Sequence, residues 1–256
     1  MRFSEPSRGP QAEPLEAVTF DVTHTLIHAP RLAEIYGEVL RRHGLTAPTA
    51  RLRRRIPLVW QELSCQATPA QDRFTAHAGG PKGFWHRFLE RLCEHLDLEP
   101  PTRFASAELY DRFGHAEAWE IYPDVPGTLA ALRRKGLRIG IVSNWDHRLP
   151  DLLERLGLAP ELDAVVYSSS LGVEKPHPSM FLSCLEALGV EPEHALHVGD
   201  SAIEDAEGAQ AVGMHSLRVD RQGGGGDLWS LIRPLLGADG AEAADLGNHG
   251  DRHAHR

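Results

Sequence analysis

The stretch "AVTFDVTHTLIH", residues 17–28, runs four residues suited to a buried strand, Ala17 to Phe20, into a carboxylate, Asp21. Three later strand-like runs also lead into polar groups. "RIGIV" is followed by Ser143 and Asn144, the segment after "LDAVVYSSS" carries Lys175 in "GVEKPHP", and "LHVGD" ends on Asp200, with Asp205 in the next helical turn. A carboxylate able to act as nucleophile, a hydroxyl, an ammonium and two further carboxylates are thus spread from residue 21 to residue 205. Singly none is specific. Jointly they matter, because in an open parallel sheet ligands bind outside the carboxyl ends of the strands, near the switch in strand order.

The elements that must position these groups fall into two textures. From residue 124 onward short apolar strands alternate with amphipathic helical runs, which predicts an α/β fold: a Rossmann-like, doubly wound parallel sheet covered on both faces. Glycines close the helical runs, as Gly157 does after "HRLPDLLERL" and Gly189 after "HPSMFLSCLEAL". Residues 30–117 contain no convincing strand and read as several helices, so the first strand belongs with the later sheet and an all-helical cap is inserted behind it. The expected organisation is a tail at 1–14, a core of 15–29 plus 118–222, a cap at 30–117, and a flexible tail with a short helix at 223–256. His249, His253 and His255 belong to that tail.

Composition narrows the function classes. Of the 256 residues 41% are hydrophobic, enough for a proper core, and no apolar run could span a bilayer. The opening "MRFSEPSRGPQAEP" has no apolar signal region. A cytoplasmic protein without a membrane partner is expected. Cys65, Cys93 and Cys184 lie far apart and fit neither a disulfide framework nor a zinc site. A net charge of −9 disfavours nucleic acid as a partner, and "RLRRR", residues 51–55, reads as a solvated helix face. A helical cap and an exposed sheet edge each offer a surface for a homodimer.

The order Asp21, Ser143, Lys175, Asp200, Asp205 resembles the motif series of the haloacid dehalogenase superfamily of hydrolases. "VSNWDHRL", "EKPHP" and "HVGDSAIEDAEGAQAVGMHS" look most like the branch called haloacid dehalogenase-like hydrolase domain-containing proteins. The resemblance covers roughly residues 15–30 and 118–220, and the helical insert falls where that superfamily places its first cap. It implies that Asp21 is the nucleophile toward a phosphoryl group of a small phosphorylated substrate, forming an aspartyl-phosphate that water hydrolyses. It also implies a Mg²⁺ ion held by Asp21, Asp200 and the Thr23 carbonyl, with Asp205 acting through water or as an orienter. Ser143 and the amide after it would bind phosphoryl oxygens, and Lys175 would supply fixed positive charge. Asn144, Thr23 and His24 stand where a substrate could be contacted, Asn144 alternatively holding its loop. Trp60, Trp85, Trp119 and Trp145 either line the cleft or pack the core and cap.

One position departs from the pattern. Phosphatases of this superfamily usually read D-x-D-x-T, the second aspartate protonating the leaving oxygen, whereas here the segment is D-V-T-H-T with Thr23 in that place. A threonine hydroxyl does not exchange a proton at neutral pH as a carboxyl does. Three readings stay open: a Mg²⁺-dependent phosphatase lacking that acid or using His24 or His28 for it; a 2-haloacid dehalogenase, which also lacks the second aspartate; and a non-catalytic binding protein. The intact "GD" and Asp205 favour the first.

Overall fold

The computed structural model describes residues 14–64, 68–221 and 226–236. Cys65 and the three tail histidines lie outside the described residues. In chain order the elements are β1 (Ala17–Phe20), β2 (Ile27–His28), α1 (Leu32–Arg42), α2 (Thr49–Ser64), α3 (Gly80–His95), α4 (Arg103–Arg112), β3 (Glu120–Ile121), α5 (Val125–Arg134) and β4 (Arg138–Ser143). Then follow α6 (Leu149–Arg155), β5 (Ala164–Tyr167), α7 (Ser168–Leu171), α8 (Pro178–Leu188), β6 (Ala195–Gly199), α9 (Gly208–Ala211), β7 (His215–Arg218) and α10 (Leu228–Ile232).

Five strands form one parallel sheet in the order β5-β4-β1-β6-β7. The chain builds outward from β1 through β4 to β5, then returns across the sheet to β6 on the other side. The switch in strand order therefore falls at the carboxyl end of β1, where Asp21 stands, and that is where a crevice is expected. Alternation along each strand divides the core. Val18 and Phe20 face α5, α6 and α10 with Ile139, Ile141, Leu196 and Val198, whereas Ala17, Val142 and Ala195 face Met180, Phe181 and Cys184 of α8. These are the two covered faces that the apolar strand runs predicted.

Helices α1 to α4 bury their own apolar stripe, with Val39, Leu40, Leu52, Val59, Leu89 and Leu92 meeting in a separate core. Leu52 is buried in the middle of the basic run while Arg51 and Arg53 pair on the surface with Asp97 and Glu34, so the run is a solvated helix face. The helical insertion leaves and rejoins the sheet domain through a feature too short to register in the sequence, an antiparallel ribbon of β2 and β3 pairing Ile27 with Ile121. No described helix is long and apolar enough to cross a membrane.

Within the segment expected as a flexible tail with a short helix, residues 226–236 carry α10 and pack against the sheet domain. Asp227 caps α10 by accepting from the Ser230 amide at 2.9 Å, Leu228 and Ile232 are fully buried, and the Leu228 amide donates to Asp124 at 2.6 Å. Two buried apolar side chains one helical turn apart explain the docking, since they complete the core above α5.

The sheet and α8 approach closely at Gly140. A Cβ there would lie 2.6 Å from Cys184 Sγ and 3.1 Å from both Leu188 and Thr19. Gly140→Ala should therefore lower stability by about 1–3 kcal/mol through overpacking, read as a fall in melting temperature. Adding Cys184→Ala should recover part of that loss.

Candidate active site

Asp21 reaches the crevice because β1 stops pairing one residue later. Its amide donates to Val198 O at 2.9 Å, and the amides of Leu26 and Ile27 then close back on Val22 O at 2.9 and 3.0 Å. The turn carries His24 at φ 62°, a left-handed conformation unusual outside glycine. Asp21 is 7% exposed. Its Oδ1 accepts from Ser143 Oγ at 2.9 Å and from Lys175 Nζ at 2.7 Å. Among the described residues Oδ2 accepts no hydrogen bond, so one oxygen is held and the other is free.

Lys175 comes from the loop between α7 and α8, and a side chain of another strand end holds it. Asn144 Oδ1 accepts from the Lys175 amide at 2.6 Å while Asn144 Nδ2 donates to the Lys175 carbonyl at 3.2 Å. Of the two sequence readings for Asn144, this geometry is that of a loop clamp, since both ends of its amide are used. The Lys175–Pro176 peptide is cis. Lys175 Nζ also donates to Asp205 Oδ1 at 2.6 Å. Burial alone would lower the Lys175 pKa, but the charges of Asp205 and Asp21 and their hydrogen bonds outweigh it and raise the ammonium above its ordinary value.

Asp205 lies in a wide π-helical turn, Ala202–Glu207, in place of the expected α-helical one. The turn curls the carboxylate back over the end of β6, where Ser201 N donates to Oδ2 at 2.9 Å. It passes so close to Gly199 that a Cβ there would overlap the carboxylate, which explains glycine in "GD". Asp205 Oδ1 also accepts from His197 Nε2 at 3.1 Å, and His197 Nδ1 meets Thr19 Oγ1 at 2.8 Å. Burial would raise the Asp205 pKa, but Lys175 and His197 hold it well below the usual carboxylate range. Both oxygens thus face protein donors.

Asp21, Asp200 and Asp205 bring carboxylate oxygens within 4.8 Å of one another. One ammonium faces three carboxylates, and the deficit appears at Asp200. Burial, followed by the charges of Asp21 and Asp205, pushes its pKa up to about 7. A hard divalent cation fits this donor set, because it binds carboxylate oxygens and cancels the repulsion between them. Asp21 and Asp200 are the residues with oxygen positions to spare. The Thr23 carbonyl accepts none of the turn's backbone hydrogen bonds, which converge on Val22 and Ile27. His24 is exposed; crowding by its surroundings lowers its pKa against the opposing pull of Asp21. His28 stacks on Tyr122 at 4.5 Å, directed into the ribbon.

Several residues of the site carried no recognisable pattern in the sequence. Arg73, from the helical insertion, makes a two-pronged pair with Glu174 at 2.7 and 3.0 Å beside Lys175. Backbone bonds from Asp72 N to Gly172 O at 2.8 Å and from Glu174 N to Pro69 O at 3.2 Å dock the same segment. Trp85 Nε1 donates to the buried Asp146 at 3.2 Å, tying α3 to the loop after β4. Partners a hundred residues apart leave no spacing signal. His197 did leave one, a polar residue inside an apolar strand. Trp145 packs in the core under the site, and Trp60 stacks on Trp85 at 5.9 Å in the helical insertion.

A family model described as haloacid dehalogenase-like hydrolase matches residues 15–213. The haloacid dehalogenase-like hydrolase domain-containing protein 3 of Mus musculus is 34% identical over 216 residues, 80% of this chain and 82% of that one. A glyceraldehyde 3-phosphate phosphatase of Methanopyrus kandleri is 30% identical over 214 residues, 81% of this chain and 84% of that one. The solved L-2-haloacid dehalogenase of Xanthobacter autotrophicus superposes with a TM-score of 0.63 at 25% identity, covering 81% of this chain and 78% of that one.

The raised Asp200 pKa gives a pH signature for a bound cation. Below about 7 the carboxyl is protonated and a cation must displace the proton; above that it is ionised and repelled by its neighbours. Mg²⁺ should therefore raise the melting temperature more at pH 8 than at pH 6, with affinity rising up to about tenfold per pH unit below that pKa. Asp200→Asn should remove most of the shift and flatten its pH dependence.

Proposed function

We propose, from the premise that this chain belongs to the haloacid dehalogenase-like hydrolase family, that it is a Mg²⁺-dependent phosphatase of small phosphorylated metabolites with good leaving groups. The observation that carries this reading is Asp21, with Oδ1 held by Ser143 and Lys175, Oδ2 free, and the uncompensated Asp200 beside it. In the first step Asp21 Oδ2 attacks phosphorus, the bond to the leaving oxygen breaks, and that oxygen departs with the electron pair. Ser143 and Lys175 keep the attacking carboxylate from rotating, and the Lys175 ammonium, with one N–H beyond those given to Asp21 and Asp205, would supply positive charge against that building on the phosphoryl oxygens. Bound Mg²⁺ would neutralise part of that charge, with Asp21, Asp200 and the Thr23 carbonyl holding it. Water then attacks the aspartyl-phosphate, releasing phosphate and regenerating the carboxylate.

Thr23 limits the substrates. A carboxyl at that position contributes a general acid effect of roughly 10²–10⁴; Thr23 cannot supply it, and no other carboxyl stands in the turn. Acyl phosphates, anhydrides and aryl phosphates leave without a proton, whereas alkyl phosphates do not. The same absence slows the activation of water, so the phosphorylated enzyme should accumulate.

The family also holds dehalogenases, and the Xanthobacter autotrophicus enzyme superposes on this chain. Halide displacement from carbon needs the aspartate and lysine but no cation. The third carboxylate, Asp200, with its raised pKa, supports the phosphatase instead.

With an aryl phosphate and Mg²⁺, stopped-flow absorbance should show a burst of phenol near one equivalent per chain, then slow turnover. Asp21→Asn should abolish both phases, and phosphate release surviving it would exclude Asp21 as nucleophile. Thr23→Asp should raise alkyl phosphate turnover by about 10²–10⁴. Metal-independent chloride release from 2-chloropropionate would favour the dehalogenase.

A further inference from the structure

We infer that His197 is a positioning residue: together with Thr19 it fixes Asp205, and through Asp205 it aims Lys175 at the nucleophile. The inference rests on the reading of Asp21 and Lys175 as the reacting pair. Its basis is a closed circuit of hydrogen bonds. Thr19 Oγ1 meets His197 Nδ1 at 2.8 Å, His197 Nε2 meets Asp205 Oδ1 at 3.1 Å, Lys175 Nζ meets the same Oδ1 at 2.6 Å, and Lys175 Nζ meets Asp21 Oδ1 at 2.7 Å. The circuit begins on β1 at Thr19 and ends two residues on at Asp21, just past the end of that strand. Thr19 and His197 are register partners across β1 and β6, so the sheet itself sets the distance between the first two members.

The direction of each bond follows from chemistry. The Asp205 carboxylate can only accept, so the Nε2 that faces it carries the proton. Nδ1 is then free to accept from the Thr19 hydroxyl, a donor with no other partner among the described residues. Phe181 meets the imidazole edge-on at 5.1 Å and 88°, which fixes the ring plane. Thr19 and His197 are both fully buried. A histidine used only as filling would carry two unmatched polar atoms into an apolar face, where an aliphatic residue packs without them. Here each ring nitrogen has one partner, and the partner on the site side is the carboxylate that orients Lys175.

The assignment makes a distinct demand on Asp205. Lys175 and His197 converge on Oδ1, and Ser201 N holds Oδ2, so three donors from three segments define the carboxylate plane. Without His197, Oδ1 has Lys175 as its one remaining donor, and the pair can rotate together away from Asp21. The nucleophile would lose its orientation while the surfaces that bind substrate stayed in place.

The chain has three lysines, Lys82, Lys135 and Lys175, so the ammonium signals in a ¹⁵N-selective NMR spectrum can be assigned by substitution. In the full-length protein the Lys175 ammonium should give a slowly exchanging signal. His197→Phe should broaden or abolish it, His197→Gln, which keeps an N–H donor, should restore it, and Thr19→Val should weaken it. With Mg²⁺ and an aryl phosphate, His197→Phe should cut kcat at least tenfold with KM within twofold. Glutamine should recover much of that loss, and Thr19→Val should lose a few-fold. An unchanged Lys175 signal in the phenylalanine variant, or a kcat within twofold of the parent, would overturn the inference. If His197→Phe does not fold, Thr19→Val decides on the same two readouts. The NMR arm needs no substrate, so a parent protein inert toward phosphates would defeat the phosphatase reading and leave the positioning role to be judged on the ammonium signal.

Discussion

A buried ammonium between two carboxylates is the constraint around which this molecule is arranged. Lys175 is 2% exposed, and its Nζ touches Asp21 and Asp205 and nothing that could replace them. Removing a charge of this kind from water carries a penalty of several kcal/mol, which only close and well-directed partners offset. The partners come from β1 and from the π-helical turn after β6, and the lysine from the loop before α8. Asn144, Gly199 and Ser201 are arranged to hold these three pieces in register: one clamps the lysine backbone, one makes room for Asp205, and one fixes its second oxygen. The ends of β1, β4 and β6 therefore serve a single electrostatic centre.

That centre is not neutral. Asp200 adds a third carboxylate with no ammonium to match it, and its raised pKa expresses the excess. A protein does not retain such an imbalance for stability, because stability would favour replacing Asp200 by a neutral residue. Perturbation of this kind is concentrated at functional sites. Thr23 lies in the adjacent turn and adds no charge of its own. The site thus combines an oriented carboxylate and a buried ammonium with a third carboxylate, and the turn beside them carries a hydroxyl where a further carboxyl could stand.

The helical insertion is coupled to the same centre. Arg73 and Glu174 form a pair whose side chains are 6% and 3% exposed, and Glu174 immediately precedes Lys175. Trp85 reaches Asp146, two residues after Asn144. The insertion therefore contacts both the loop that carries the lysine and the loop whose Asn144 clamps it. The insertion and Lys175 thus share their supports.

Asp21, Ser143 and Asp200 were legible in the sequence because each ends a short apolar run, and the carboxyl end of a parallel strand is where side chains meet a ligand; Lys175 and Asp205 lie in the segments that follow and were legible through the motif series they complete. The parallel sheet and the helical insertion were legible for the same local reason, periodic burial of apolar residues. The ribbon of β2 and β3 was not, since two residues per strand carry no period. The docking of α10 was obscured by the glycine run before it. Asn144 could be narrowed to two roles but not assigned, because its partner lies 31 residues away. His197, Arg73 and Glu174 needed the fold itself. The sequence by itself determined which groups stand at the strand ends and that a proton donor is absent at Thr23, since both follow from local pattern and residue type. Only the tertiary structure decided which carboxylate oxygen is held, which is free, and what holds the lysine, because those depend on distances between segments that meet only once the sheet has closed around β1.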